Sequence, residues 1–112
     1  KKYMNPIRFS IEVYVVEDSD DVTKGNHTLE RVMTGLSFLP SINTKILSLT
    51  GFDDVDITPI VCSVPSLYCD GYNGYEWIVE LHDSVLGLED QVPEVTIKQL
   101  KEALDKGWEL SL

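Results

Sequence analysis

From Ile7 to Val16 two registers of side chains alternate without a break. Ile7, Phe9, Ile11, Val13 and Val15 interleave with Arg8, Ser10, Glu12, Tyr14 and Val16. Successive side chains of an extended chain point to opposite faces, so period two over this length reads as a long strand with one face buried. The segment constrains the chain more than any other, because it demands a sheet with one buried side.

The rest of the chain is punctuated by turn chemistry. Glu17 to Asn26 is polar and contains Gly25, the mark of a loop. Leu29, Val32, Met33 and Leu36 fall at i, i+3, i+4 and i+7, which predicts a helix ended near Phe38 by Pro40, with Asn26 or Thr28 as its cap and Gly35 weakening it. Asn26-His27-Thr28 also matches a glycosylation acceptor, but capping is the better reading. Thr44–Thr50 and Ile57–Val64 are strand candidates around an acidic turn at Gly51–Asp56, and Pro59 places the second at an edge or delays its start. Asp70-Gly71 and Asn73-Gly74 are tight-turn dipeptides, and Tyr75–His82 alternates after them, so a hairpin is expected there with Trp77 in the core.

Asp83–Glu94 reads as a connection. Thr96 and Gln99 then have the spacing of a capping box, Val95 and Leu100 that of a hydrophobic staple, and Gly107 stands where a helix C′ glycine belongs. Lys106 falls in the last turn, where it suits the helix dipole. Trp108, Leu110 and Leu112 suggest a short closing strand. The expected fold is α+β: a small single-layer mixed or antiparallel sheet, in the order β-α-β-β-β-α-β, with two helices packed on one face. Residues 1–112 are expected to form a single compact domain.

Charge is where the sequence speaks to function. The chain has 19 acids against 9 bases and a formal net charge of -10. Lys1–Lys45 and Lys98–Leu112 each sum to zero. Ile46–Ile97 holds ten acids and no Lys or Arg. Direct binding to nucleic acid needs a basic patch, so it is disfavoured, as is an anionic membrane surface. A basic protein surface is the matched partner. No run of about 18 apolar residues predicts a membrane-spanning helix. The N-terminal residues carry no signal-type apolar core, so a cytoplasmic location is expected, with Cys62 and Cys69 as free thiols.

No catalytic motif stands out, and neither a cofactor nor a metal site is expected. Asp18, Asp20 and Asp21 open like a calcium loop, but Thr23 and Leu29 stand where its glycine and closing glutamate belong. His27 and His82 are the only histidines, and no spacing pairs either with a cysteine. Tyr68, Tyr72, Tyr75 and Trp77 cluster around the glycine turns inside the base-free stretch. Aromatics beside carboxylates suit Arg and Lys on a partner.

The expected function is a non-enzymatic acidic binding protein that blocks a basic, nucleic-acid-handling protein, as an immunity protein, antitoxin or phage-type inhibitor does. Its expected contact residues are Asp53, Asp54, Asp56, Asp70, Tyr72, Tyr75, Glu76 and Glu80. The alternatives are an assembly subunit that self-associates through strand edges and a small metal-dependent enzyme.

Overall fold

The computed structural model describes residues 5–46, 59–72, 74–83 and 92–111. The alternating N-terminal segment is strand β1 (Ile7–Val15), and its five odd positions are all buried. It pairs antiparallel along its whole length with β2 (Gly25–Met33). Its other edge is shared. Ile7–Ile11 run parallel to Trp77–Leu81 of β5 (Gly74–Asp83), and Tyr14–Val15 run parallel to β6 (Glu94–Val95). The far side of β5 is divided in the same way, between β4 (Ser66–Asp70) and β3 (Pro59–Val61), both antiparallel. Helix α1 (Ile97–Asp105) follows β6, and β7 (Glu109–Leu110) closes the sheet against β2. The strands form one mixed sheet in the order β3-β5-β1-β2-β7, with β4 and β6 off that path.

The expectation of two helices is thereby corrected. One helix is present among the described residues, and the order is six strands, then α1, then β7. The segment Leu29–Leu36, read as a helix, lies largely in β2. The apolar spacing there misleads because only Leu29 is fully buried, whereas Val32 is 46 % exposed on the opposite face. The register with β1 puts Gly25, His27, Leu29, Arg31 and Met33 on the core side. Histidine and arginine at two of those positions hide the period of two. Asn26 and Thr28 are accordingly strand residues and cap nothing.

The loop before β2 is held by its own polar groups. Asp18 Oδ1 accepts from the Lys24 amide at 2.7 Å, Ser19 Oγ accepts from Val22 N at 3.1 Å, and the Val22 side chain is buried. Asp18 thus braces a turn. The strand expected at Thr44–Thr50 is reduced, among the described residues, to a bridge between Lys45 and Ile60. Asn43–Ile46 cover the outer edge of β3 through three backbone hydrogen bonds of 2.8–2.9 Å. The Gly51–Asp56 turn lies outside the described residues.

Helix α1 is closed at both ends. Thr96 Oγ1 accepts from Gln99 N at 3.2 Å and Gln99 Oε1 accepts from Thr96 N at 2.8 Å, completing the capping box, while Val95 and Leu100 are both buried beneath it. At the C-terminus Lys106 is the cap itself, not a last-turn residue. Gly107 takes φ 108°, its N–H donates to Leu104 O at 3.3 Å, and Trp108 N–H donates to Ala103 O at 3.1 Å. That pair of bonds is a Schellman motif, and it turns Trp108 straight into the core beside Ala103.

Trp108, not Trp77, is the fully buried tryptophan. Trp77 packs half-buried at the rim. The core therefore lies between one sheet face and α1 with Leu36, Leu39 and Ile46. No helix among the described residues is long and apolar enough to cross a membrane.

Candidate functional site

Because the odd positions of β1 face the core, the even positions define a second sheet face. The pairings extend it strand by strand. Ser10 lies opposite Glu80 of β5 and Glu30 of β2, Glu30 lies opposite Glu109 of β7, and Tyr14 lies opposite Glu94 of β6. Glu12 and Arg8 belong to the same face through β1, and Glu76 through β5. Six glutamates therefore share it with one arginine. No described element is packed over it, and its side chains are exposed or half-buried. The three lysines of the C-terminal segment, Lys98, Lys101 and Lys106, are on or beside α1, which packs against the other face. The sheet face thus carries a large carboxylate excess, whereas on α1 Glu102 and Asp105 offset Lys98 and Lys101.

Arg8 organises the middle of the acidic face. Its Nε donates to Glu76 Oε1 at 3.0 Å and Nη2 to Glu76 Oε2 at 3.3 Å, a two-pronged pair, while Nη1 lies 3.5 Å from Glu30. The hydrogen bond that Arg8 donates to Glu76 is the main cause of an Arg8 pKa raised above its ordinary value; partial burial opposes it, and the charges of Glu76, Glu30 and Glu109 add to the rise. The charge of Glu76 is thereby matched by Arg8, while Glu30 lies at the edge of the same cation's reach. Neither Glu12 nor Glu80 has an ion pair with a described residue.

Glu12 and Glu80 flank a pocket of about 390 Å³ on this face. Ser10, Thr28, Cys62 and His82 share its wall, and Val92 and Pro93 supply an apolar side. Cys62 reaches it because its N–H donates to Glu80 O at 3.0 Å, continuing the β3–β5 ladder by one residue. The sheet thus gathers Cys62 and His82, which no sequence spacing linked. Nδ1 of His82 is buried without a hydrogen-bond partner among the described residues. Among the described residues no three His, Cys, Asp or Glu side chains are arranged to hold a metal ion, and Cys62 and Cys69 are unbridged thiols.

The expected contact residues fall into separate groups. Glu80 lies at the pocket, and Glu76 is on the same face but committed to Arg8. Tyr72, at the tip of the β4–β5 hairpin, is 99 % exposed, and Tyr75 is 54 % exposed on the opposite side of the sheet from Glu76. Asp70 ends β4, with its backbone opposite Gly74. Asp53, Asp54 and Asp56 lie outside the described residues. The structure adds Glu12, Glu30, Glu94 and Glu109, all missed from the sequence because three of them come from segments whose charges cancel along the chain. Tyr68 belongs to the same face as Glu76, opposite it across the hairpin, and is 58 % exposed.

Compared with known proteins, the chain matches no family, no curated protein and no solved structure, so residues and geometry carry the functional reading.

Proposed function

We propose that this chain is a non-enzymatic, cytoplasmic acidic binding protein. Its sheet face occupies a basic, nucleic-acid-handling surface of another protein, in the manner of an immunity protein, an antitoxin or a phage-type inhibitor. The observation that supports the reading is the gathering of acids on one sheet face: six glutamates and one arginine on a face that no described element covers. Carboxylates spaced along neighbouring strands, about 4.8 Å apart, take the place of phosphates against Lys and Arg. Like charges on one surface repel, so such a face costs stability in the free protein, and a cationic partner relieves that cost on binding. Tyr68 and Tyr72 flank the face with aromatic surface suited to guanidinium stacking.

The test is capture of partners from a lysate at low salt and again at about 0.5 M, where the Debye length falls to a few ångströms. A dominant basic nucleic-acid-binding protein, released by salt and lost when Glu12 and Glu80 are changed to Lys, supports the proposal. A second reading, an assembly subunit, is favoured by one feature. Ser66 to Cys69 of β4 are all exposed, and Val64, Leu67, Tyr68, Tyr72 and Tyr75 gather most of the exposed large apolar side chains in one hairpin. Recovery of higher-order forms of the bait alone, unaffected by salt, establishes that reading instead.

A further inference from the structure

We propose that the pocket between Glu12 and Glu80 is a seat for one guanidinium group on a short apolar stem. The proposal rests on the acidic-face reading for the source of that group, an arginine of the basic partner, while the chemistry of the pocket stands on its own residues.

Register fixes the arrangement. Ser10 is the partner of Glu80, and Glu12 is two residues further along β1, so Glu12 and Glu80 stand diagonally on adjacent strands. One strand spacing and a two-residue rise separate their Cβ atoms by roughly 8 Å. Two glutamate side chains that far apart can close on a planar cation from opposite sides. A guanidinium offers five N–H donors in a fixed fork, enough for both carboxylates together with the Ser10 and Thr28 hydroxyls of the same wall. Val92 and Pro93 supply the surface against which a methylene stem packs.

The alternatives fit less well. Among the described residues no Lys or Arg lines the pocket, and Arg8 is held on the far side of Ser10 by Glu76 and Glu30. An anion would meet two carboxylates. A neutral ligand would strip water from both without supplying a counter-charge. A metal ion lacks a set of ligands in holding geometry among the described residues. The pocket wall also contains His82, whose Nδ1 is the buried side-chain polar atom left without a partner among the described residues. Unsatisfied buried polar groups are few in folded proteins, and each calls for an explanation.

The experiment titrates the full chain with N-acetyl-arginine methylamide and, as a shape-matched neutral control, with N-acetyl-citrulline methylamide, following backbone amide signals. The expected result is saturable movement at Ser10, Glu12, Thr28, Glu80 and His82 with the arginine probe and none with citrulline. The double variant Glu12→Gln/Glu80→Gln weakens binding about tenfold or more. The variant Glu102→Gln/Asp105→Asn, which removes the same charge from α1, leaves binding unchanged; matched unfolding midpoints show that both variants fold. Equal weakening in the two variants, or shifts that spread over the face without saturating, overturns the proposal. Saturation by the probe, with a captured partner still held in full by Glu12→Gln/Glu80→Gln, keeps the seat and assigns its guanidinium to a free small molecule. A salt-sensitive partner with no saturation by the probe removes the seat and leaves the acidic-face reading intact.

Discussion

Glu30 of β2 and Glu109 of β7 are direct cross-strand partners on the same sheet face, two carboxylates set opposite one another at the edge of the fold. The Arg8 guanidinium, 3.5 Å from Glu30, is the nearest relief, and the field of Glu109 adds to the rise in the Arg8 pKa. Like charges in this position are destabilising. Replacing Glu109 by Lys is expected to raise stability by about 0.2–1 kcal/mol at low ionic strength, with the gain shrinking as salt is added. Thermal melts of the two proteins across a salt series check it.

Arg8 lies between Glu76 and Glu30, so Arg8→Met leaves both carboxylates of that face without their counter-charge. A loss of about 1 kcal/mol is expected, toward the low end for a charge-assisted pair because both partners are partly solvated. The pKa of Arg8 is raised on folding, so its contribution is fully present below the pKa of the unfolded chain and is lost only as pH climbs through the still higher folded value. That window is strongly alkaline. The difference between wild type and Arg8→Met is therefore expected to stay flat as far as titration of Arg8 itself is concerned, from about pH 7 to about pH 10. Denaturant midpoints over that range measure it.

Gly107 takes a left-handed φ of 108°, and a Cβ there would make ordinary contact with the Arg31 Cζ at 3.4 Å. Gly107→Ala is expected to cost about 1–2 kcal/mol, from backbone strain at positive φ. Calorimetry on the variant tests this. The cost of Gly107→Ala should be the same in an Arg31→Ala background, because a Cβ there makes only ordinary contact with Arg31.

Thr96→Ala removes the side-chain acceptor for Gln99 N and half of the capping box. A loss of about 1 kcal/mol is expected, read as a lower urea midpoint with an unchanged slope.

At the hairpin tip, Tyr72→Ser is expected to leave the unfolding free energy within about 0.5 kcal/mol of wild type while weakening capture of the proposed partner. Equal capture by the variant would remove Tyr72 from the contact surface.

The elements legible in the sequence were those whose signals are local. β1 carries its own period, and α1 carries its cap, staple and terminal glycine within thirteen residues, Val95–Gly107. β2 was illegible for a physical reason. Its core side holds His27 and Arg31, and Arg31 is tolerated there because its guanidinium lies against Gly107 beyond the end of the helix. A clue was present in β1 itself, since a long strand followed by a polar loop and Gly25 invites a hairpin return. The candidate site was harder to read. Net charge summed along the chain points to Ile46–Ile97, yet the face is assembled across strands. Glu12, Glu30 and Glu109 join it from segments of zero net charge, while Glu76, inside the acidic stretch, is cancelled by Arg8 of β1.

The place of β1 between a local partner and two remote ones has a kinetic consequence. Its antiparallel partner follows after a short loop, so the β1–β2 hairpin can form early. Its second edge waits for Trp77, 70 positions beyond Ile7, and for Val95, 80 positions beyond Val15. Contacts that distant in sequence close slowly because a large loop must be ordered before they add any stability. During synthesis the nascent hairpin therefore presents an unpaired edge and an uncovered apolar face until most of the chain has emerged. Parallel docking of β5 onto β1 is the step that commits the chain to its fold.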